Sequence, residues 1–551
     1  VTTENKSIEP QTHGEKIKLR FNWNTPIHQS TLNPGTIYTG AQFLYRTRNM
    51  GNTWERVSPD LTTNDPEKQK QDESGGLSVD NSSAENHCTI FSICESPLDA
   101  NIIWVGTDDG NLQVTANGGA SWENVVKNVP GLPKNAWVSS VDAGRFDKNT
   151  AFVTFDNHAL GDMKTYIYKT TDMGRSWSKL VDTEIKGYAH KIKQDLVNPN
   201  LLFAGTVFGL FISLDGGSSW VQYNSNVPTA EVRDIEIHPE THDLIVATHG
   251  RGVLILDDLS PIRGVTTELL NTDAAFLPTR ENFTNSGFLN GSFPDQAGSF
   301  TAPNATEDAV ITYYLKERAV TGDVKIEIYD PEGKLVKTVP GTKRKGINRV
   351  TWDMRVKTPK VAKGIKPDFS GFFSPYVRPG EYKLKLLAGN NTVEGTLSLK
   401  VHPFNKHSPE DLELQYQTSM KLHALHEELA FIVENINKVQ QDAQKLADES
   451  KADKDLVKEL VGKLEDIRKT LVATKEGRIT GEVQLREKIG EVYMSVAGYN
   501  GRPTDSQLER VPGLENEVAA ARKNAEEIYS KYLAKLNIVL MTREEFDKKT
   551  Q

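Results

Sequence analysis

Cysteine is nearly absent from this sequence: Cys88 and Cys94 are the two in 551 residues. They stand six residues apart on one face of an apparent strand, His87–Cys94. At roughly 3.3 Å per residue that separates them by about 20 Å, beyond disulfide reach. Two buried free thiols are expected, and cysteine leaves the compartment undecided. No run of 18 apolar residues occurs, so no transmembrane helix is expected. Positive charge is not in excess: 65 Lys and Arg stand against 74 Asp and Glu, a net charge of −9, with no long basic run. A phosphate backbone has no electrostatic footprint here, which argues against nucleic acid as a partner. Gly-x-Ser-x-Gly, a phosphate-cradling glycine loop and Cys-x-x-Cys are missing too, and no cofactor is expected. His423-Ala-Leu-His426 has chelating spacing on a helix but no third ligand nearby, so no metal site is expected.

What is present is a short phrase in four copies. Its cleanest form is Ser213-Leu-Asp215-Gly-Gly217-Ser-Ser219-Trp220. The others centre on Asn49 and Trp54, Asn117 and Trp122, and Asp172 and Trp177. The template Ser/Thr-x-Asp/Asn-x-Gly-x-Ser/Thr-Trp has the chemistry of a tight turn. The carboxylate or amide oxygen accepts backbone N–H groups, glycine supplies a positive φ, and tryptophan opens the next strand with a large apolar face. This phrase is the Asp-box, and the chain resembles the Asp-box (BNR) β-propellers: sialidases, sortilin-type receptors and xyloglucan-hydrolysing enzymes. The resemblance implies that the turns are structural and lie away from the ligand face.

Read in order, residues 1–16 form a polar N-terminal linker, and 17–258 carry four-strand units of the propeller. The Asp-box tryptophans, at 54, 122, 177 and 220, are spaced by 68, 55 and 43 residues, so loops vary while the repeat core stays constant. A fifth unit, Val232–Leu256, has lost the phrase. The longest insertion, Ser58–Asn86, is polar and glycine-rich. Five units are few for a ring of this kind, and with the start at Val1 they imply missing N-terminal blades, either from a longer precursor or from another subunit. Residues 259–306 read as a connector. Alternating strands over 307–403 predict an immunoglobulin- or fibronectin-like β-sandwich. At Ser408-Pro-Glu-Asp411 a helix start is written, and a heptad seam from Leu422 to Leu446 opens an antiparallel helical bundle over 408–545. The fold class is therefore multidomain and mainly β: propeller, sandwich, then C-terminal bundle.

That order resembles large secreted bacterial proteins labelled sortilin-like or glycosyl-hydrolase-like. Glu85-Asn-His87-x-Thr89-Ile90, Trp104-Val-Gly-Thr-Asp108-Asp-Gly110 and Ala247-Thr-His249-Gly-Arg251-Gly252 carry the resemblance. It implies an extracytoplasmic location and this architecture, without fixing a reaction.

Blade geometry sorts the candidate ligand-binding residues. If the Asp-boxes join third to fourth strands, the opposite face is built from first-strand starts and second-to-third-strand turns. Those positions hold Glu85, His87, Asp108 and Asp109 in unit two. Unit three adds Trp137, Asp156 and His158, and unit four Tyr188 and His190. Unit five adds Arg233, His249 and Arg251. Arginine binds carboxylates bidentately and aromatics stack on sugars, so a polypeptide or glycan is the expected ligand. Turn chemistry alone also accounts for Asp108 and Asp109, and backbone bonding for His249. The leading expectation is a binding or scaffold protein within a larger assembly. The alternative is a glycoside hydrolase sharing its site with an N-terminal propeller, with a carboxylate pair drawn from Glu85, Asp108, Asp109 and Asp156. No catalytic signature is complete in the sequence.

Overall fold

The computed structural model describes residues 5–12, 14–73, 86–181, 185–284, 306–365, 368–475 and 482–549. Glu85 lies outside them. The chain forms two compact units, Val1–Leu269 and Leu270–Gln551.

The first unit is a run of antiparallel sheets whose strands pair in sequence order. The first contains β1 (Ile27–Gln29), β2 (Ile37–Gly40), β3 (Leu44–Thr47) and β4 (Glu55–Arg56). The second contains β5 (Ile90–Ser96), β6 (Asp99–Thr107), β7 (Leu112–Thr115) and β8 (Glu123–Asn124). The third contains β9 (Trp137–Ala143), β10 (Ala151–Asn157), β11 (Asp162–Thr170) and β12 (Ser178–Lys179), and the fourth β13 (Ala189–Gln194), β14 (Leu202–Thr206), β15 (Gly209–Ser213) and β16 (Val221–Gln222). The fifth has three strands, β17 (Val232–Ile237), β18 (Leu244–Thr248) and β19 (Val253–Leu256). The first strands of sheets two to five are neighbours in space, the arrangement of propeller blades about an axis.

One expected strand begins later than its apolar pattern implies, and the stretch before β1 is irregular. Lys18–Thr25 is irregular because Asn22 bonds the Asn24 amide and the Thr25 hydroxyl bonds the Asn22 carbonyl. The strand read from His87 starts at Ile90, because Cys88 has a φ of 60° and the Thr89 amide is given to the Asp108 carboxylate. Cys88 and Cys94 are buried free thiols.

Alternating strand faces bury aliphatic and aromatic side chains between successive sheets. Sheets one and two meet through Tyr38, Leu44, Ile90 and Val105; sheets two and three through Trp104, Val138, Val153 and Tyr168. Phe152, Ile192 and Phe211 fill the next seam, and Phe203, Val232 and Val246 the last. The approach is close at Gly106, where a Cβ would stand 2.3 Å from a Val138 methyl, and at Gly205, where it would stand 2.8 Å from Val232. At the matching register position of β18 stands Ala247, opposite Asp234 and Val253.

All four repeated turns join third to fourth strands with one hydrogen-bond pattern. The Thr47, Thr115, Thr170 and Ser213 hydroxyls accept the amides of Gly51, Gly119, Gly174 and Gly217. The Asn49, Asn117, Asp172 and Asp215 side chains accept the amide four residues on, each at 2.9 Å. Trp122 and Trp220 donate to the Val57 and Leu180 carbonyls of the preceding sheet at 3.2 Å, while the buried Trp177 indole N–H has no partner among the described residues.

After two short helices, α1 (Ser260–Arg263) and α2 (Thr267–Asn271), the second unit opens with a sandwich. One sheet contains β20 (Ala274–Leu277), β22 (Ala309–Leu315) and β25 (Gly346–Trp352). The other contains β21 (Asn282–Phe283), β23 (Val324–Tyr329), β24 (Leu335–Pro340), β26 (Gly380–Ala388) and β27 (Asn391–Lys400). Trp352, Tyr313, Ile326 and Leu386 are fully buried between the sheets. β20 and β21 come from the stretch read as a connector; runs of four and two residues are too short for their period to register.

The helices follow: α3 (Pro409–Asp448), α4 (Lys454–Leu471), α5 (Leu485–Ala497), α6 (Asp505–Leu536) and α7 (Arg543–Lys548). Ser408 caps α3 by accepting the Asp411 amide, and Asp453, Thr504 and Thr542 cap α4, α6 and α7. Leu422, Leu429, Ile436 and Val439 of α3 pack with Leu460, Leu464, Ile489 and Val518 in one core. No helix among the described residues is long and apolar enough to cross a membrane. The fold is thus mainly β with a C-terminal helical bundle: propeller, sandwich and bundle.

Candidate functional site

In each of the first four sheets the repeated turn sits at the end where the first strand finishes. The first-strand starts and the second-to-third-strand turns share the opposite end. Four first strands carry a bulge at the same place, leaving Phe91, Ser139, His190 and Arg233 as the extra residue. A bulge re-aims its side chain, and this one irregularity recurs near the start of four first strands.

Around sheets three to five these positions converge. Asp156 stands near the end of β10, accepts the His158 amide at 3.0 Å and lies 2.6 Å from His158 Nδ1. His190 bridges two carboxylates: Nδ1 is 3.4 Å from Asp156 and Nε2 is 2.7 Å from Glu231. Glu231 also accepts the Tyr188 hydroxyl at 2.8 Å and pairs with Arg233 at 3.1 Å. His158 stacks on Tyr188 with centroids 4.3 Å apart and ring planes 14° apart. Asp156, Tyr188 and His190 are buried, whereas the His158 and Arg233 side chains are 38% and 43% exposed.

Burial, then the Arg233 charge, push the His190 pKa down against the pull of both carboxylates. Burial works to raise Glu231, but hydrogen bonds from His190 and Tyr188 outweigh it and hold the carboxylate ionised below its ordinary range. Burial and Glu231 push the Tyr188 phenol up to about 12. A neutral His190 has one N–H, and the shorter contact assigns it to Glu231. Its other nitrogen and an Asp156 oxygen then stand side by side as acceptors, a pair that takes a donor such as a hydroxyl or an amide N–H.

The sheet-two residues are differently employed. Asp108 and Asp109 are fully buried. Asp108 accepts the Thr89 amide and hydroxyl and the Asn22 amide, and Asp109 accepts the Thr63 amide and hydroxyl and the Thr107 hydroxyl. Asp109 therefore pins the long insertion at Thr63, and both carboxylates are saturated by local donors. His87 lies 3.4 Å from Asp108 and its ring is 6.2 Å from that of Trp137. His249 and Arg251 are exposed at the same end; the His249 amide donates to the Glu231 carbonyl, and Arg251 makes no ion pair among the described residues.

Sequence reasoning missed Glu231. The available signal was its register: it directly precedes β17 as Tyr188 precedes β13, with both carbonyls accepting the amide that follows the second strand. In the second unit a cleft of about 350 Å³ is lined by Arg378, Tyr382, Tyr416 and His423. There Arg378 lies over the Tyr416 ring and is paired with Glu332 and Glu413, which leaves its charge engaged. His423 Nε2–H donates to the Lys357 carbonyl, 3.0 Å away, and no metal-binding cluster occurs among the described residues.

The fold defines the class of protein, a β-propeller joined to a sandwich and a helical bundle. No family model matches the chain, and no curated protein matches it. Among solved structures it is similar to the GH74 xyloglucanase from Xanthomonas campestris, at 16% identity over 44% of this chain and 37% of that one, with a TM-score of 0.33. It is also similar to YCF48 from Cyanidioschyzon merolae (19% identity, 30% and 52% covered, TM-score 0.23) and to the Cps50 (Swd1) β-propeller domain of Myceliophteria thermophila (12%, 60% and 90%, 0.32). The chain spans less than half the length of the Xanthomonas xyloglucanase and of an ancestral GH74 enzyme.

Proposed function

We propose that the first unit is an extracytoplasmic Asp-box propeller that binds a polypeptide or glycan on the end opposite its repeated turns. The second unit, with its sandwich and bundle, would hold it in a larger surface assembly. The observation that carries this reading is the His158–Tyr188–His190–Glu231–Arg233 cluster, in which exposed His158 and Arg233 side chains pair with buried Asp156 and part-buried Glu231. His158 offers a flat ring face, Arg233 a guanidinium, and the Asp156–His190 pair an acceptor site; together they match hydroxyl- or amide-rich ligands. The test is binding to glycan and peptide arrays by wild type, His158→Ala and Arg233→Ala. Loss of tenfold or more in both variants is expected, and unchanged binding to the same ligands would remove the cluster from the site.

A second reading, a glycoside hydrolase, would draw its two carboxylates from Asp156 and Glu231, which contact opposite nitrogens of the His190 imidazole. It predicts release of reducing ends from a polysaccharide, abolished by Asp156→Asn and by Glu231→Gln. Binding of a polymer without release would dispose of it.

A further inference from the structure

Between β25 and β26 the chain passes along α5 with its polar side inward. Donors reach its backbone from below. Buried Arg486 gives an Nη1–H to the Ala362 carbonyl at 3.0 Å, and the Tyr493 hydroxyl donates to the Phe373 carbonyl at 3.0 Å. The Arg355 guanidinium bonds the Ser374 carbonyl. Asp368 is turned in towards Arg486, 3.6 Å away, and accepts the Ser370 amide at 2.9 Å, which starts a tight helical turn over Phe369–Phe372. Ser370 is fully buried against α5, where a Cβ on Gly490 would stand 3.4 Å from its hydroxyl.

The apolar side chains of the same stretch face solvent. Phe372 is 81% exposed, Phe369 55% and Ile365 53%, with Phe373 and, just past α5, Tyr499 exposed beside them. Gly364 packs on Arg486 at the start of α5, and the Phe373 ring lies 3.9 Å from where a Cβ on Gly498 would stand at its end. The exposed side chains therefore follow the length of one helix. Polar groups buried and rings exposed is the reverse of what burial of apolar surface selects, and an apolar patch of this kind marks a contact surface.

Charge and area together favour one occupant. Residues 355–378 carry six Lys and Arg against one Asp, in a chain of net charge −9. Asp368 points inward, whereas Lys357 and Lys363 reach solvent, so the outward side of the stretch is apolar and positive. The exposed rings and Ile365 offer roughly 500 Å², short of the ~800 Å² that each partner buries in a stable protein–protein interface. A lipid surface sets no such threshold. Each apolar side chain enters the headgroup boundary on its own, and cations add attraction to anionic lipid. We propose that Ile365, Phe369, Phe372 and Phe373 dock the second unit on an anionic lipid surface. Lys363 meets the headgroup phosphates, and Tyr499 lies at the boundary.

Co-flotation of the full chain with phosphatidylcholine vesicles, with and without about a third phosphatidylglycerol, tests this. Wild type is expected to float with the anionic vesicles and several-fold less with the neutral ones. Phe369→Ser combined with Phe372→Ser is expected to lower partitioning about tenfold or more. Lys363→Glu is expected to lower it about fivefold, on the anionic vesicles alone. Phe372→Leu, which keeps the apolar face, retains binding. Val320→Ser removes an equally exposed side chain from the sandwich and leaves binding unchanged. Circular dichroism melts matching wild type accompany each variant, since the altered side chains are exposed. Absence of flotation on both vesicles overturns the proposal, as does binding that survives the double Phe→Ser change. A wild-type dimer in sedimentation velocity that the double change abolishes also overturns it, and gives the patch to a second copy.

Discussion

At the residue scale the repeated turns show how a side chain substitutes for secondary structure. Asp172 accepts the Ser176 amide and the Thr170 and Ser176 hydroxyls. Hydrogen bonds from Ser176 hold its pKa down at about 2. A carboxylate depressed in the folded state stabilises it above the unfolded pKa near 3.9 and loses that contribution as pH falls towards 2. Asp172→Ala is expected to cost about 1–2 kcal/mol at pH 7, by analogy with helix caps, and less at pH 2.5; denaturant titration at the two values checks this. Met50 holds a φ of 56° in the same turn of the first sheet while 65% exposed. Asparagine tolerates that conformation better, so Met50→Asn is expected to stabilise by roughly 0.5–1 kcal/mol, read as a raised melting midpoint. These turns were the most legible part of the sequence, because each needs particular residues at fixed offsets. The cluster residues Asp156, His158, His190 and Arg233 were legible one by one. Their mutual contacts were not, since Glu231, which ties His190 and Arg233 to Tyr188, carries no local motif.

At the scale of elements, the spacing between sheets is set by missing side chains. A Cβ on Gly106 would meet Val138 and Ser92 within 2.5 Å, so Gly106→Ala forces sheets two and three apart. A loss of about 1–3 kcal/mol is expected, as for other overpacked cores. Ala247→Gly, at the matching place on the last sheet, lacks that crowding, and its cost is expected to stay near 1 kcal/mol, the conformational cost of glycine in a strand. Paired denaturation curves separate the two. Strand existence was readable from alternation, whereas the bulges at Phe91, His190 and Arg233 were not. A bulge changes pairing without changing the apolar pattern, and two of the cluster's residues, His190 and Arg233, sit on bulges. The helix start at Ser408 was readable because capping is chemically specific; β21, two residues long, offered no period at all.

At the scale of the whole molecule, acid should act through a buried histidine of the second unit. His426 is fully buried on α3, with neither ring nitrogen bonded among the described residues and Tyr493 packed 5.3 Å away. Burial pushes its pKa down to about 4; Asp368 pulls it up, and His423 and Arg486 push it further down. A histidine kept neutral when folded leaves stability intact above the unfolded pKa of 6.5. Stability is then lost as pH falls towards 4, because the unfolded chain takes the proton first. About 3 kcal/mol is at stake over that window by linkage. Melting followed by helical circular dichroism is expected to fall steeply between pH 6.5 and 4 in wild type and to flatten in His426→Leu. The central claim concerns the other unit, and amide-exchange footprinting of its strongest array ligand tests it most directly. Protection is predicted over 156–158, 188–191 and 231–233, with the repeated turns unchanged. Protection confined to those turns or to the second unit would contradict the account.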